Sequence, residues 1–174
     1  MEVFCVDDTE FHLGKITKVI EQACAAKGIS DCEIVQCCDG KDFLNKVSGK
    51  LPVLVTLDIN MPNMDGLSTL VRYRHLNPAA KILMVSSENE AVVQRLASEH
   101  HKVDEKKKQM LLSSVISRVK SGEVVPGKIN SVLEAVASLG MDPLKVAREN
   151  GASDIVKKPF DVEKAVFTVT RYLK

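Results

Sequence analysis

Short apolar runs alternate along this chain with longer segments whose apolar positions recur every three or four residues, which predicts strands and helices in turn. Val3 to Val6 is the first run and reads as a strand. Phe11, Ile16, Val19, Ile20, Ala23 and Cys24 fall largely on one stripe of a following helix, which Thr9 or Asp8 can cap and Gly28 stops. Cys32 to Cys38 is a second strand, Asp39-Gly40 a turn, and Lys41 to Val47 a short helix carrying Phe43, Leu44 and Val47 inward. In the third strand, Leu54, Val55 and Leu57 make the near-continuous apolar run expected of a parallel strand covered on both faces. Met61-Pro62 stops it, because proline donates nothing to a sheet ladder and restricts the residue before it. A helix from Asp65 to about His75 closes at Asn77-Pro78, and Lys81 to Ser86 is a fourth strand. A fifth, Asp154 to Lys157, leads into Lys158-Pro159-Phe160 and a last helix from about Val162 to Leu173.

Strands alternating with helices at this spacing predict an α/β fold, doubly wound, with helices on both faces of a five-stranded parallel sheet. The stretch between Ser87 and Gly151 departs from that rhythm, since one crossover needs only about a dozen residues. Ala91 to about His100 reads as helical, Lys102 to Lys108 as a charged run, and Met110 to Val119 as helical again through Leu111, Leu112, Val115, Ile116 and Val119. Gly122 and Pro126-Gly127 break it, and Ile129 to Leu139 and Pro143 to Glu149 are further amphipathic helices. The expected architecture is one domain, 1–174, with an inserted helical hairpin at 93–142. The Lys106 to Lys108 run reads as a solvated helix face, because Glu99, Asp104 and Glu105 dilute it and no aromatic is interleaved.

Composition narrows the function classes. Lys plus Arg number 24 against 23 Asp plus Glu in 174 residues, so no global field draws the chain to nucleic acid or an anionic membrane. No apolar run is long enough to cross a bilayer, and Met1 leads directly into a strand without a basic leader, so a cytoplasmic protein is expected. The chain ends soon after its last helix, so its effect is expected to be exerted by binding. Cys5, Cys24, Cys32, Cys37 and Cys38 are odd in number and lack a Cys-x-x-Cys spacing, which argues against a disulfide framework. Cys37 and Cys38 point to opposite faces of a strand and are poorly placed to share a metal. His12, His75, His100 and His101 sit in no motif with a partner, and exposed positions are expected for them.

The strand ends carry the chemistry. Asp7-Asp8 follows the first strand, Asp58 ends the third, Ser86 the fourth, and Lys158 the fifth, which is the rim where open α/β sheets collect their ligands. Phosphoryl transfer to a carboxylate needs this combination. Asp8, Asp58 and a backbone carbonyl can hold a hard cation such as Mg²⁺, leaving Asp58 as nucleophile while Ser86 and Lys158 meet the phosphoryl oxygens.

Val-Asp-Asp at Val6 to Asp8, Leu-Asp-Ile-Asn-Met-Pro-Asn-Met-Asp-Gly at Leu57 to Gly66, Val-Ser-Ser-Glu at Val85 to Glu88 and Gly-Ala-Ser-Asp-Ile-Val-Lys-Lys-Pro-Phe at Gly151 to Phe160 follow one another in order. In these stretches the chain resembles bacterial response-regulator receiver domains of the chemotaxis single-domain type, over about two thirds of its length, near 1–92 and 143–174. The resemblance implies a flavodoxin-like strand order 2-1-3-4-5. It implies Asp58 as phosphoacceptor, Asp7 and Asp8 as the acidic pair at Mg²⁺, Asn60 as donor of a backbone carbonyl to the metal, Ser86 as switch hydroxyl and Lys158 as phosphate-sensing lysine. Asn60 and Glu88 occupy positions that tune hydrolysis of the aspartyl phosphate. The implied function is a two-component switch phosphorylated by a sensor histidine kinase, not an enzyme, signalling through an output protein or phosphatase.

Two positions depart from the family. Ile155 stands where Tyr or Phe often serves as the switch residue, and the insertion falls in the helix-4 output region. The hairpin is expected to contact a partner or a second copy of the chain, giving a homodimer, with packing on its own domain as the alternative. Two other readings compete. A haloacid-dehalogenase-like phosphatase would carry an aspartate two residues after the nucleophile, where this chain has Asn60. A pseudo-receiver without phosphorylation would not need the intact set Asp7, Asp8, Asp58, Ser86 and Lys158.

Overall fold

The structure is a computed structural model that describes residues 1–87, 104–159 and 161–173. Its strands are β1 Glu2–Val6, β2 Glu33–Cys37, β3 Leu54–Asp58, β4 Ile82–Ser87 and β5 Asp154–Lys158, all parallel neighbours in the order β2-β1-β3-β4-β5. The helices are α1 Glu10–Ala26, α2 Gly40–Lys46, α3 Gly66–Leu76, α4 Glu105–Ser121, α5 Val132–Ser138, α6 Pro143–Glu149 and α7 Val162–Thr170. The doubly wound fold and its strand order are as expected.

Strand alternation divides the core in two. Val3 and Cys5 of β1, Leu54 of β3, Leu83 and Val85 of β4 and Val156 of β5 pack with Ile16, Ile20 and Cys24 of α1 and Ala165 and Val169 of α7. Phe4, Val6, Val55, Leu57, Ile82 and Met84 point the other way, toward α2 to α6. Every residue of β3 is buried, as the unbroken apolar run requires of a central strand.

The chain after residue 103 is folded onto the domain. Leu112, Val115 and Val119 of α4 and Val132, Ala135 and Val136 of α5 share one core with Leu67, Leu70 and Val71 of α3. The apolar stripe expected to seek a partner is thus occupied within the chain, while Met110 and Leu111 remain exposed. The helix expected at 91–100 and the first part of the 93–142 insertion lie outside the described residues. The charged run also departs from expectation, because Lys108 is buried and pairs with Glu105 at 3.3 Å. It stands four residues before Leu112 and so continues the inward stripe, its aliphatic stem covering the core. Phe11 was expected on the inward face of α1 but is 64% exposed; Leu13 is the buried residue of that turn.

The β3–α3 loop is drawn tight against the sheet. Gly66 donates its N–H to the Ile59 carbonyl at 2.9 Å, and a Cβ at this position would stand 1.9 Å from the Asp58 carbonyl oxygen. Only glycine permits that approach. Asp65 caps α3 by accepting from the Ser68 N–H at 2.8 Å.

Candidate functional site

Asp7, Asp58 and Lys158 share the alternation phase of Cys5, Thr56 and Val156, so three strand ends deliver them to the sheet face that α1 covers. There the Lys158 ammonium donates to Asp7 Oδ2 at 2.6 Å and to Asp58 Oδ1 at 2.8 Å. All three residues are buried. Asp8, exposed on the adjacent loop, accepts from the Thr9 hydroxyl at 3.2 Å, while Asp7 Oδ1 accepts from the Thr9 N–H at 3.0 Å. The second oxygen of Asp58 accepts from the Asn60 N–H at 3.1 Å.

Electrostatics follow from this burial. Desolvation pushes the Asp58 carboxyl above the ordinary carboxylate range and the neighbouring Asp7 charge adds to it, while the hydrogen bond and charge of Lys158 and the Asn60 N–H pull it down. One ammonium serving two carboxylates leaves the cluster anionic. Among the described residues, Asp7, Asp8 and Asp58 each offer a carboxylate oxygen within 4.8 Å of the others. Such an all-oxygen, triply anionic donor set fits a hard divalent cation such as Mg²⁺.

The other expected residues fall as follows. Ser86 is buried at the end of β4 in the phase of Ile82 and Met84, and its hydroxyl donates to the Ser87 carbonyl at 3.3 Å. That phase is opposite to the one shared by Asp58 and Lys158, and among the described residues the ammonium's carboxylate bonds are to Asp7 and Asp58. Ile155 of β5 is half-buried against the α3 side of the core. Glu88 lies outside the described residues. The five cysteines are free thiols, with Cys37 buried and Cys38 exposed, and burial pushes Cys5 and Cys37 up to about 12.

His12 departs from the exposed, unpartnered placement expected of the histidines. Its Nδ1 lies 3.1 Å from Lys158 Nζ and 3.4 Å from Asp7 Oδ1. The available signal was its position in the first turn of α1, four residues after Asp8, where the helix begins beside the acidic pair.

Residues 3–120 match the family described as response regulator receiver domain. The chain belongs to that family. It is a receiver domain, the phosphorylation-dependent switch module of two-component signalling. The match ends before β5, yet the geometry brings Lys158 of that strand to the same carboxylates. The chemotaxis protein CheY of Listeria monocytogenes is 33% identical over 88 residues, which are 50% of this receiver chain and 68% of that protein. A protein-glutamate methylesterase/protein-glutamine glutaminase 3 of Vibrio cholerae is 28% identical over 132 residues, 76% of this chain; the match spans only 32% of that longer protein. Among solved structures, the BeF3-activated DrrB receiver domain superposes with a TM-score of 0.57 at 18% identity, covering 98% of this chain and 95% of that one. Chemotaxis protein CheY4 of Vibrio cholerae gives 0.56 at 18% identity, covering 99% and 98%. At that identity the superpositions speak for the fold.

Proposed function

We propose that Asp58 accepts a phosphoryl group from a sensor histidine kinase and that the modified domain signals by a changed affinity for another protein, in a pathway of the chemotaxis type. The observation that carries this reading is the Lys158 ammonium bridging Asp7 and Asp58 at the mouth of the sheet. Asp58 is the nucleophile: a carboxylate oxygen forms a bond to phosphorus while the bond from phosphorus to the donor nitrogen or oxygen breaks, and the leaving group takes its electron pair. Burial strips water from the attacking oxygen, and the ammonium opposes the neutralisation that burial favours.

Asp7, Asp8 and Asp58, with the Asn60 backbone carbonyl, would hold Mg²⁺. When bound, the cation neutralises negative charge gathering on the phosphoryl oxygens. Lys158 is suited to pair with one phosphoryl oxygen, since its ammonium already reaches Asp58, and Ser86 to donate to another after its hydroxyl leaves the Ser87 carbonyl. Ser86 and Ile155 are then the residues through which β4 and β5 respond, and Asn60 and Glu88 those that set the lifetime of the aspartyl phosphate. The chemistry is that of a phosphoacceptor that gains and loses its own phosphoryl group in the cytoplasm, with the kinase and the output protein as partners.

The test is intact-protein mass after incubation with Mg²⁺ and acetyl phosphate. A labile gain of one phosphoryl group, absent in Asp58→Asn and absent without Mg²⁺, is the expected result. No gain by a folded natural chain would overturn the reading and leave a binding module that works without phosphorylation.

A further inference from the structure

The phosphorylation chemistry leaves one group at the site without a task. His12, its side chain 31% exposed, stands against Lys158, whose side chain is 6% exposed. An ammonium carries three N–H donors and no acceptor. Two go to Asp7 Oδ2 at 2.6 Å and Asp58 Oδ1 at 2.8 Å, and His12 Nδ1, at 3.1 Å, is in reach of the third. The contact from Nδ1 to Asp7 Oδ1 is longer, 3.4 Å. With its ring proton on Nε2, His12 offers Nδ1 as the acceptor for that third N–H. The backbone supports this placement, because the His12 N–H is bonded to the Thr9 carbonyl at 3.0 Å and fixes the residue in the first turn of α1.

We infer that His12 is a positioning residue for Lys158. Both anionic acceptors of the ammonium also belong to the carboxylate set that fits a cation, so each has a competing claim on it. His12 is the acceptor without that second claim. It holds Nζ at the mouth of the site, leaving an N–H directed at whatever oxygen Asp58 presents, first carboxylate and then phosphoryl. This role rests on the reading of Asp58 as phosphoacceptor.

The experiment compares natural protein, His12→Leu, which removes the acceptor, and His12→Asn, whose side-chain oxygen restores one. The first readout is the ¹⁵N-detected Lys158 ammonium resonance in metal-free protein. A slowly exchanging signal in the natural chain and His12→Asn, with exchange at least about fivefold faster in His12→Leu, is expected for one lost hydrogen bond. The second is the rate of phosphoryl gain from acetyl phosphate at saturating Mg²⁺, expected about fivefold slower in His12→Leu and within about twofold of natural in His12→Asn. An unchanged Lys158 signal in His12→Leu overturns the inference. So does an unchanged rate, or failure of Asn to rescue in variants whose circular dichroism melts match the natural chain. If the natural chain gains no phosphoryl group, the Asp58 reading fails, while the resonance still decides the contact between His12 and Lys158.

Discussion

Lys158 Nζ and Asp58 Oδ1 stand 2.8 Å apart although 100 positions separate the two residues in the chain. The pair is buried, and Asp7 Oδ2 at 2.6 Å makes it a triad in which one positive charge answers two negative ones. The two carboxylates that hold the lysine also belong to the three whose oxygens lie within 4.8 Å of one another and would hold a divalent cation. Lys158 and a divalent cation are therefore competitors as well as collaborators at this rim.

Replacing the lysine exposes that competition. Lys158→Ala leaves Asp7 and Asp58 facing one another without their cation, a loss of about 3 kcal/mol or more in metal-free stability by comparison with other broken buried pairs. Mg²⁺ then restores more stability to the variant than to the natural chain, and its calorimetric affinity rises about tenfold, as the removal of one repelling charge at close range requires. Phosphoryl gain falls at least about tenfold despite the tighter metal. Equal Mg²⁺ affinity in the two proteins would contradict this account.

Asp58 gives a pH dependence of definite sign. Burial raises its carboxyl above the ordinary range, so between the unfolded value and the raised folded value the native chain binds more proton than the unfolded chain. Its contribution to stability therefore falls as pH rises through that window, and the full cost is present above the raised value. Asp58→Asn removes the charge while Asp7 still holds Lys158. Urea unfolding without metal is expected to find the variant more stable by about 1–2 kcal/mol above the raised value, with the gap closing as pH drops below it. A gap that widens in acid would show the charge to be stabilising instead.

Much of this site was legible in the sequence because its side chains end strands. A run such as Leu54 to Leu57 announces a buried strand, and period-two alternation then sets Asp7, Asp58 and Lys158 on one face together. His12 was not legible in that way, since a helical residue has no strand end to mark it and its partner Lys158 is 146 residues distant. Phe11 misled for a related reason: hydrophobicity alone put it inward, whereas the stripe of Leu13, Ile16, Ile20 and Cys24 turns it to solvent. Lys108 was hidden by its charge in the same stretch where its spacing to Leu112, Val115 and Val119 makes it part of the buried stripe.

Gly66 tests whether the loop must lie against Asp58. A methyl group there would meet the Asp58 carbonyl oxygen at 1.9 Å and the Ile59 Cα at 2.9 Å, both backbone atoms that cannot rotate away. Gly66→Ala is expected to cost about 2–3 kcal/mol and to slow phosphoryl gain, because the strain is relieved only by moving the segment that holds Asp58. Gly14→Ala is the control, since no atom lies within 4 Å of its added methyl. Its helical position makes that change neutral or stabilising by up to about 1 kcal/mol. Equal melting temperatures for the two variants would remove the argument from close approach.

The segment around α5 reaches the loop before α3 through three hydroxyl and carboxylate groups. Ser131, which caps α5, donates to Asp65 Oδ2 at 2.8 Å; Ser68 donates to the same oxygen at 2.5 Å and accepts from the Val132 N–H at 2.9 Å. Asp65 in turn starts α3, one residue before Gly66. Ser131→Ala therefore loses both a helix cap and a bond to the residue that anchors the loop after Asp58, an expected cost of about 1–2 kcal/mol. In a double-mutant cycle with Asp65→Asn the two losses are expected to be non-additive by about 1 kcal/mol, because each variant breaks the same contact. The same cycle read by phosphoryl-gain rate distinguishes an α5 coupled to the site from one merely attached. Coupling predicts that Ser131→Ala changes the rate at Asp58, and a stability loss with an unaltered rate would confine the network to holding α5 against α3.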